Sequence, residues 1–195
     1  RRARQASVGW PIAGAALRVV NAGMRDAPRD GATVGEIVAM GDNVMDGYYG
    51  DKAATVAAMS GPWLHTGDLA VWNPNGSIRF VDRSKDLIIS GGENISSIEV
   101  ENAIGAHPAV LECAVVAAPD EKWGEMPVAI VVPKSGQSLT AEDLLAFLAE
   151  RLARFKLPRR IEIQSERLPR SATLKVKKNT LREKYWAGYP SRVRG

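Results

Sequence analysis

Side chains able to do chemistry are thinly spread along this sequence. Asp68, in Thr66-Gly67-Asp68, is a carboxylate that can accept two hydrogen bonds at once, as from the adjacent hydroxyls of a ribose. Taken alone, the tripeptide reads first as a turn, because glycine and aspartate are common there. Arg83, in Val81-Asp82-Arg83-Ser84-Lys85-Asp86, offers a rigid fork of donors suited to ribose and phosphate oxygens, or is a surface arginine in a loop. Lys175 lies in a polar loop within a basic stretch; its ammonium could stabilise charge building up at a phosphoryl group, yet by composition it is one more solvated lysine. Ser90-Gly91-Gly92 removes side chains where a backbone must pass close to something, or makes a plain tight turn. Trp123 and Phe155 border cations in Lys122-Trp123-Gly124-Glu125 and Arg154-Phe155-Lys156, and packing aromatics would look the same. His65 has no visible acid or base partner and reads as structural. Cys113 sits in the apolar run Glu112-Cys113-Ala114-Val115-Val116 and reads as a small buried hydrophobe.

These residues need elements to hold them. The first 82 residues read as short strands at 16–20, 35–40, 68–72 and 77–81, the last two joined by the turn Asn73-Pro74-Asn75-Gly76. From Ser84 the pattern changes to alternating helices and strands. Ser96 to Glu99 forms a capping box that opens a helix to about Gly105. Val/Ala-rich strands follow at 110–117 and 128–132. A helix begins at Thr140 with Leu144, Leu145, Leu148 and Leu152 on one face, a strand covers 159–164, and a helix covers 178–186. The expected fold class is α+β, with a boundary near 82–86.

The chain carries 45% hydrophobic and 25% charged residues, ordinary globular material. Its net charge of +4 conceals an asymmetry: residues 1–150 hold 12 Lys+Arg against 19 Asp+Glu, and residues 151–195 hold 14 against 3. A basic end of this kind favours a polyanionic partner, whether nucleic acid, membrane surface or phosphorylated small molecule. Against nucleic acid, the aromatics are not interleaved with the charges as stacking platforms require. The single cysteine cannot form an internal disulfide, which points to a reducing, cytoplasmic compartment. No apolar stretch approaches the ~20 residues that span a bilayer, and the start at Arg1 rather than Met points to a piece of a longer protein.

Taken in order, Ser7-Val8-Gly9-Trp10-Pro11, Gly35-Glu36-Ile37-Val38 leading to Gly47-Tyr48-Tyr49, Trp63-Leu64-His65-Thr66-Gly67-Asp68, Val81–Asp86, Ser90–Ile95 and Leu168-Pro169-Arg170-Ser171-Ala172-Thr173-Leu174-Lys175 resemble the adenylate-forming superfamily, and within it the AMP-forming acid–CoA ligases. The resemblance implies a β-rich remnant of a large N-terminal AMP-binding domain (1–83, distorted-barrel strands), a hinge (84–86), and a small mobile C-terminal domain (87–195) with a short mixed sheet flanked by helices. It implies that Asp68 and Arg83 bind the nucleotide and that Lys85 is the pivot. It also implies that Lys175 is the catalytic lysine of adenylation, and that Ser90, Gly91, Gly92, Trp123, Phe155, Lys156 and Arg159 meet CoA, with Arg160 near its phosphates. The implied reaction joins a carboxylic acid, with a fatty acid as the expected class, to CoA through an acyl-adenylate, using ATP and Mg2+. The metal ligands and phosphate-clamping loop are expected upstream, no residue here is assigned to a metal, and the chain alone is expected to be inactive. A non-catalytic relative, or a ligase loading a carrier protein, would share these motifs. One departure stands out: most relatives have glycine before the lysine, where this chain has Leu174, and leucine does not adopt positive φ cheaply.

Overall fold

The computed structural model describes residues 7–189; the outer ends of both expected domains, 1–6 and 190–195, lie outside the described residues. The chain divides into two compact units, Arg1–Lys85 and Asp86–Gly195.

The first unit is an antiparallel sheet of six strands: β1 (Ser7–Gly9), β2 (Ala15–Val20), β3 (Val34–Gly41), β4 (Met59–Ser60), β5 (Trp63–Trp72) and β6 (Ile78–Arg83). Five run in the order β1-β6-β5-β3-β2, and β4 pairs with β5. Its buried cluster is Val19, Ala27, Ala70, Trp72 and Ile78, supported by Leu17 and Ile37. The turn between β5 and β6 closes as the sequence requires. Gly76 has φ +81, its N–H donates to Asn73, and Asn75 Oδ1 accepts from the Ser77 N–H. A short helix absent from the sequence pattern, α1 (Lys52–Ala58), buries no residue and rests on an Asp51 cap to the Ala54 N–H.

The second unit is a mixed five-stranded sheet covered on both faces. Its strands are β7 (Ile88–Ser90), β8 (Glu93–Ile95), β9 (Val110–Asp120), β10 (Gly124–Pro133) and β11 (Arg160–Ile163). Only β10 and β11 pair in parallel. The long β9–β10 hairpin is apolar on both faces. Val115, Ala117, Ala129 and Val131 pack beneath α2 (Ser97–Gly105) and α3 (Ala141–Ala149), through Val100, Ile104, Leu144 and Leu148. The alternate residues Ala114, Val116, Val128 and Ile130 pack with Leu168 and with Leu181 of α4 (Lys178–Trp186). Period-2 alternation thus feeds two cores from one hairpin. A fully buried Leu144 or Leu148 contributes roughly 2 kcal/mol. Leu145, expected on the same apolar face, is exposed.

Candidate functional site

In the first unit, Thr66-Gly67-Asp68 forms a bulge in β5. Between the pairs Val38↔His65 and Glu36↔Leu69, β5 carries more residues than β3. A bulge re-aims the side chain it contains. Gly67 takes φ +72, and its carbonyl accepts from the Ser84 N–H at 2.7 Å. Thr66 Oγ1 donates to the Ile37 carbonyl at 2.7 Å and accepts from the Asp68 N–H at 3.1 Å. Glu36 holds the bulge from the neighbouring strand: Oε1 accepts from the Gly67 N–H at 2.9 Å, and Oε2 lies 2.8 Å from His65 Nδ1. His65, which shows no partner in the linear sequence, is therefore paired. The missing signal is register, because Glu36 stands 29 residues upstream and meets it only across β3–β5.

Asp68 and Arg83 face each other across the β5–β6 ladder. Arg83 Nε lies 2.8 Å from Asp68 Oδ1, yet that oxygen is closed from solvent and the contact is not a well-directed hydrogen bond. The Asp68 carboxylate as a whole and the guanidinium beside it keep 31% and 51% of their side-chain surface in solvent, which suits an oxygen-rich ligand that brings hydroxyl donors, such as a ribose.

In the second unit, Ser90, Gly91, Gly92 and Trp123 come together. Gly91 and Gly92, with φ +60 and +84, are the two-residue turn of the β7–β8 hairpin, the backbone that a primed turn requires. The turn is also a close approach: a Cβ on Gly91 would lie 2.5 Å from the Trp123 ring, and the Gly91 N–H donates to the Trp123 carbonyl at 2.8 Å. Arg159 and Lys122 stand 5.2 Å and 4.9 Å from the centre of the Trp123 ring. Trp123 and Phe155 keep 37% and 45% of their surface in solvent, enough for a planar ligand to stack on either. Lys156 is less available than its sequence setting implies, because both oxygens of Glu99 accept from its ammonium at 2.7 Å. Arg160 pairs with Glu162 at 2.8 Å.

Lys175 is exposed on the loop between β11 and α4, and its ammonium meets no side-chain partner among the described residues. The loop is a small hairpin. Arg170 and Val176 form an antiparallel bridge, the Ser171 N–H donates to the Lys175 carbonyl, and the Lys177 N–H donates to the Pro169 carbonyl, both at 2.8 Å. Leu174 lies inside it at φ +62, so this leucine does adopt the conformation that glycine favours. Among the described residues no three His, Cys, Asp or Glu side chains gather to hold a metal ion, and no step of the chemistry is assigned to one.

An antiparallel sheet followed by a helix-flanked mixed sheet matches the C-terminal region of adenylate-forming enzymes. Residues 99–175 match the AMP-binding enzyme C-terminal domain. The chain is 47% identical over 166 residues to an acetate–CoA ligase of Humulus lupulus, covering 83% of this chain and 29% of that protein. It is 44% identical over 170 residues to a peroxisomal benzoate–CoA ligase of Arabidopsis thaliana, covering 82% and 29%. Among solved structures, ATP-bound MatB of Rhodopseudomonas palustris superposes with a TM-score of 0.86 at 33% identity, over 95% of this chain and 37% of that one. The o-succinylbenzoate CoA synthetase of Bacillus subtilis, in complex with its acyl-adenylate intermediate, gives 0.84 at 37% identity, over 92% and 36%. The chain thus spans under a third of the length of these curated relatives.

Proposed function

We propose that this chain is the nucleotide-gripping sheet and the lysine-bearing lobe of an AMP-forming acid–CoA ligase. The observation that carries the reading is the Asp68–Arg83 pair, opposed across β5–β6 on a bulge that Glu36 and Ser84 hold in place. Asp68 accepts the ribose hydroxyls, and Arg83 donates to nucleotide oxygens. In the first half-reaction the acid's carboxylate attacks the α-phosphate of ATP, pyrophosphate leaves, and an acyl-adenylate forms; Lys175 neutralises the charge that develops between two anionic groups. In the second, the CoA thiol displaces AMP. The Gly91-Gly92 turn and the Trp123 and Phe155 faces receive CoA, and Arg159 meets its phosphates. For Lys156 to do the same, CoA must compete with Glu99. Residues 84–86 are the hinge between the two half-reactions. The basic end serves CoA rather than nucleic acid.

The relatives are named for acetate, benzoate and feruloyl chemistry. A fatty acid, the class implied by the motifs, is therefore tested beside short-chain and aromatic acids. The compartment is proposed as cytoplasmic, although a benzoate relative is peroxisomal; no described helix is long and apolar enough to cross a membrane.

The test is made on the enzyme that contains this chain. Lys175→Ala is expected to slow acid-dependent ATP–pyrophosphate exchange by at least ~10²-fold while leaving thioester formation from supplied acyl-adenylate near the parent rate. Equal losses in the two half-reactions would remove Lys175 from adenylation.

A further inference from the structure

We propose that Arg170, seated on Glu112, is a positioning residue that fixes the peptide from which the adenylation lysine is presented; this rests on the reading of Lys175 given above. One nitrogen of the Arg170 guanidinium, Nη1, donates to the Leu174 carbonyl at 2.7 Å, and this carbonyl belongs to the peptide that enters Lys175. The other, Nη2, makes a short ion pair with Glu112 Oε2. Glu112 Oε1 accepts from the Leu168 N–H at 3.1 Å, where the loop begins, with Arg167 Nη1 at 3.6 Å. One carboxylate on β9 thus ties down the start of the loop and, through Arg170, the backbone just before the lysine.

The anchor is firm. The Glu112 side chain is 8% exposed, and β9 is paired along its length with β10. Leu168, beside it, is buried in the core under α4. Burial pushes the Glu112 carboxyl up, but the Arg170 hydrogen bond, the Leu168 N–H and the charges of Arg170 and Arg167 together hold it below the usual glutamate value. The carboxylate therefore stays ionised at neutral pH and keeps its guanidinium.

The loop has a reason to need such a clamp. Leu174 sits at φ +62 with 73% of its surface exposed, so no packing of its side chain offsets the steric cost of that conformation. Arg170 holds the carbonyl of that same residue. Its two nitrogens point in fixed directions, a bridge that a lysine's single ammonium cannot reproduce. Catalysis by a positioned charge is sensitive to displacements of about 1 Å, and releasing this peptide would move the base of the Lys175 side chain.

Arg170→Gln in the enzyme that contains this chain is expected to lower kcat for ATP–pyrophosphate exchange about tenfold. The KM values for ATP and acid should stay within about twofold, and thioester formation from supplied acyl-adenylate should be unchanged. Amide hydrogen exchange at Leu174, Lys175 and Val176 should speed up. Adding Leu174→Gly to Arg170→Gln should restore most of the lost kcat, because glycine takes this conformation without a clamp. Arg170→Lys, which keeps the charge, should fall between parent and glutamine variant, and it carries the comparison if Arg170→Gln does not fold. If Arg170→Gln or Arg170→Lys shows parental exchange kinetics and amide protection while Lys175→Ala loses adenylation, the clamp is wrong and the lysine's role stands. If Lys175→Ala keeps adenylation, the lysine assignment fails and the clamp's catalytic purpose with it.

Discussion

Cys113 shows how burial, with a neighbouring negative charge, sets the chemistry of a reactive side chain. Its thiol donates to the Glu101 carbonyl at 3.4 Å, and desolvation, with the Glu101 charge next in weight, raises its pKa from 9.0 to about 12. A thiol so placed is protonated and unreactive at ordinary pH. We expect iodoacetamide at pH 8 to leave the native chain unlabelled and to label it promptly in denaturant; rapid labelling of the native chain would contradict the burial argument. The linkage has a definite sign: the folded state binds this proton more tightly than the unfolded one, so stability declines as pH rises from 9.0 towards 12. The packing role of Cys113 was legible from its apolar neighbours, but its side chain is partly rather than fully buried. The partners of His65 and Arg170 were not, because Glu36 and Glu112 lie 29 and 58 residues away and reach them only through strand register and loop packing. The Leu174 conformation was half legible: the sequence marked leucine at a position suited to glycine, but not that the chain would accept the conformation and attach a guanidinium to the carbonyl.

Long elements with a buried face could be read from the sequence, whereas the uncovered helix α1 and the short β7–β8 hairpin could not. Alternation in β9 and β10 and the leucine spacing in α3 mark those elements because each has a core to fill. Helix α1 buries nothing, so no periodicity announces it. The β7–β8 hairpin has only three residues on each side of Gly91-Gly92, too short for alternation to register. Capping is the local signal that carried furthest. Ser96 Oγ accepts from the Glu99 N–H at 3.2 Å at the start of α2, and Thr140 Oγ1 does the same for Asp143 at the start of α3. Glu99 takes the cap through its backbone N–H, and its carboxylate holds Lys156, 57 residues on, so one residue both begins a helix and holds a cation beside Phe155. Ser96→Ala should destabilise the second unit by about 1 kcal/mol, a fall in Tm of roughly 4–8 °C for a unit of this size, with Ser96→Thr recovering most of it. A shift under about 1 °C would show that α2 is held by its packing on β9 and owes little to its cap.

At the scale of the molecule, charge and division into units matter most. The excess of cations after residue 150 looks in the sequence like an open polyanion-binding tail, but folding neutralises much of it. Eight cations between 151 and 189 form ion pairs with Glu99, Glu101, Glu112, Glu150, Glu162 and Asp86. Most of these are surface pairs that contribute little individually; their effect is to leave a few cations, such as Arg159 and Lys175, as the ones a ligand would meet. The two compact units divide between Lys85 and Asp86. Under the proposed two-step reaction the backbone here must change its dihedral angles between adenylation and thioester formation. Lys85→Pro fixes φ near −65° at the pivot and confines Ser84 to extended conformations. One half-reaction should therefore survive and the other suffer: ATP–pyrophosphate exchange should stay within about twofold of the parent, while thioester formation from supplied acyl-adenylate falls at least ~10-fold, the effect of about 1.4 kcal/mol on the barrier. Lys85→Ala, which removes the ammonium but leaves the backbone free, should spare both steps. If the alanine variant loses thioester formation as severely as the proline variant, the side chain rather than backbone rotation matters at Lys85, and the hinge must be sought elsewhere.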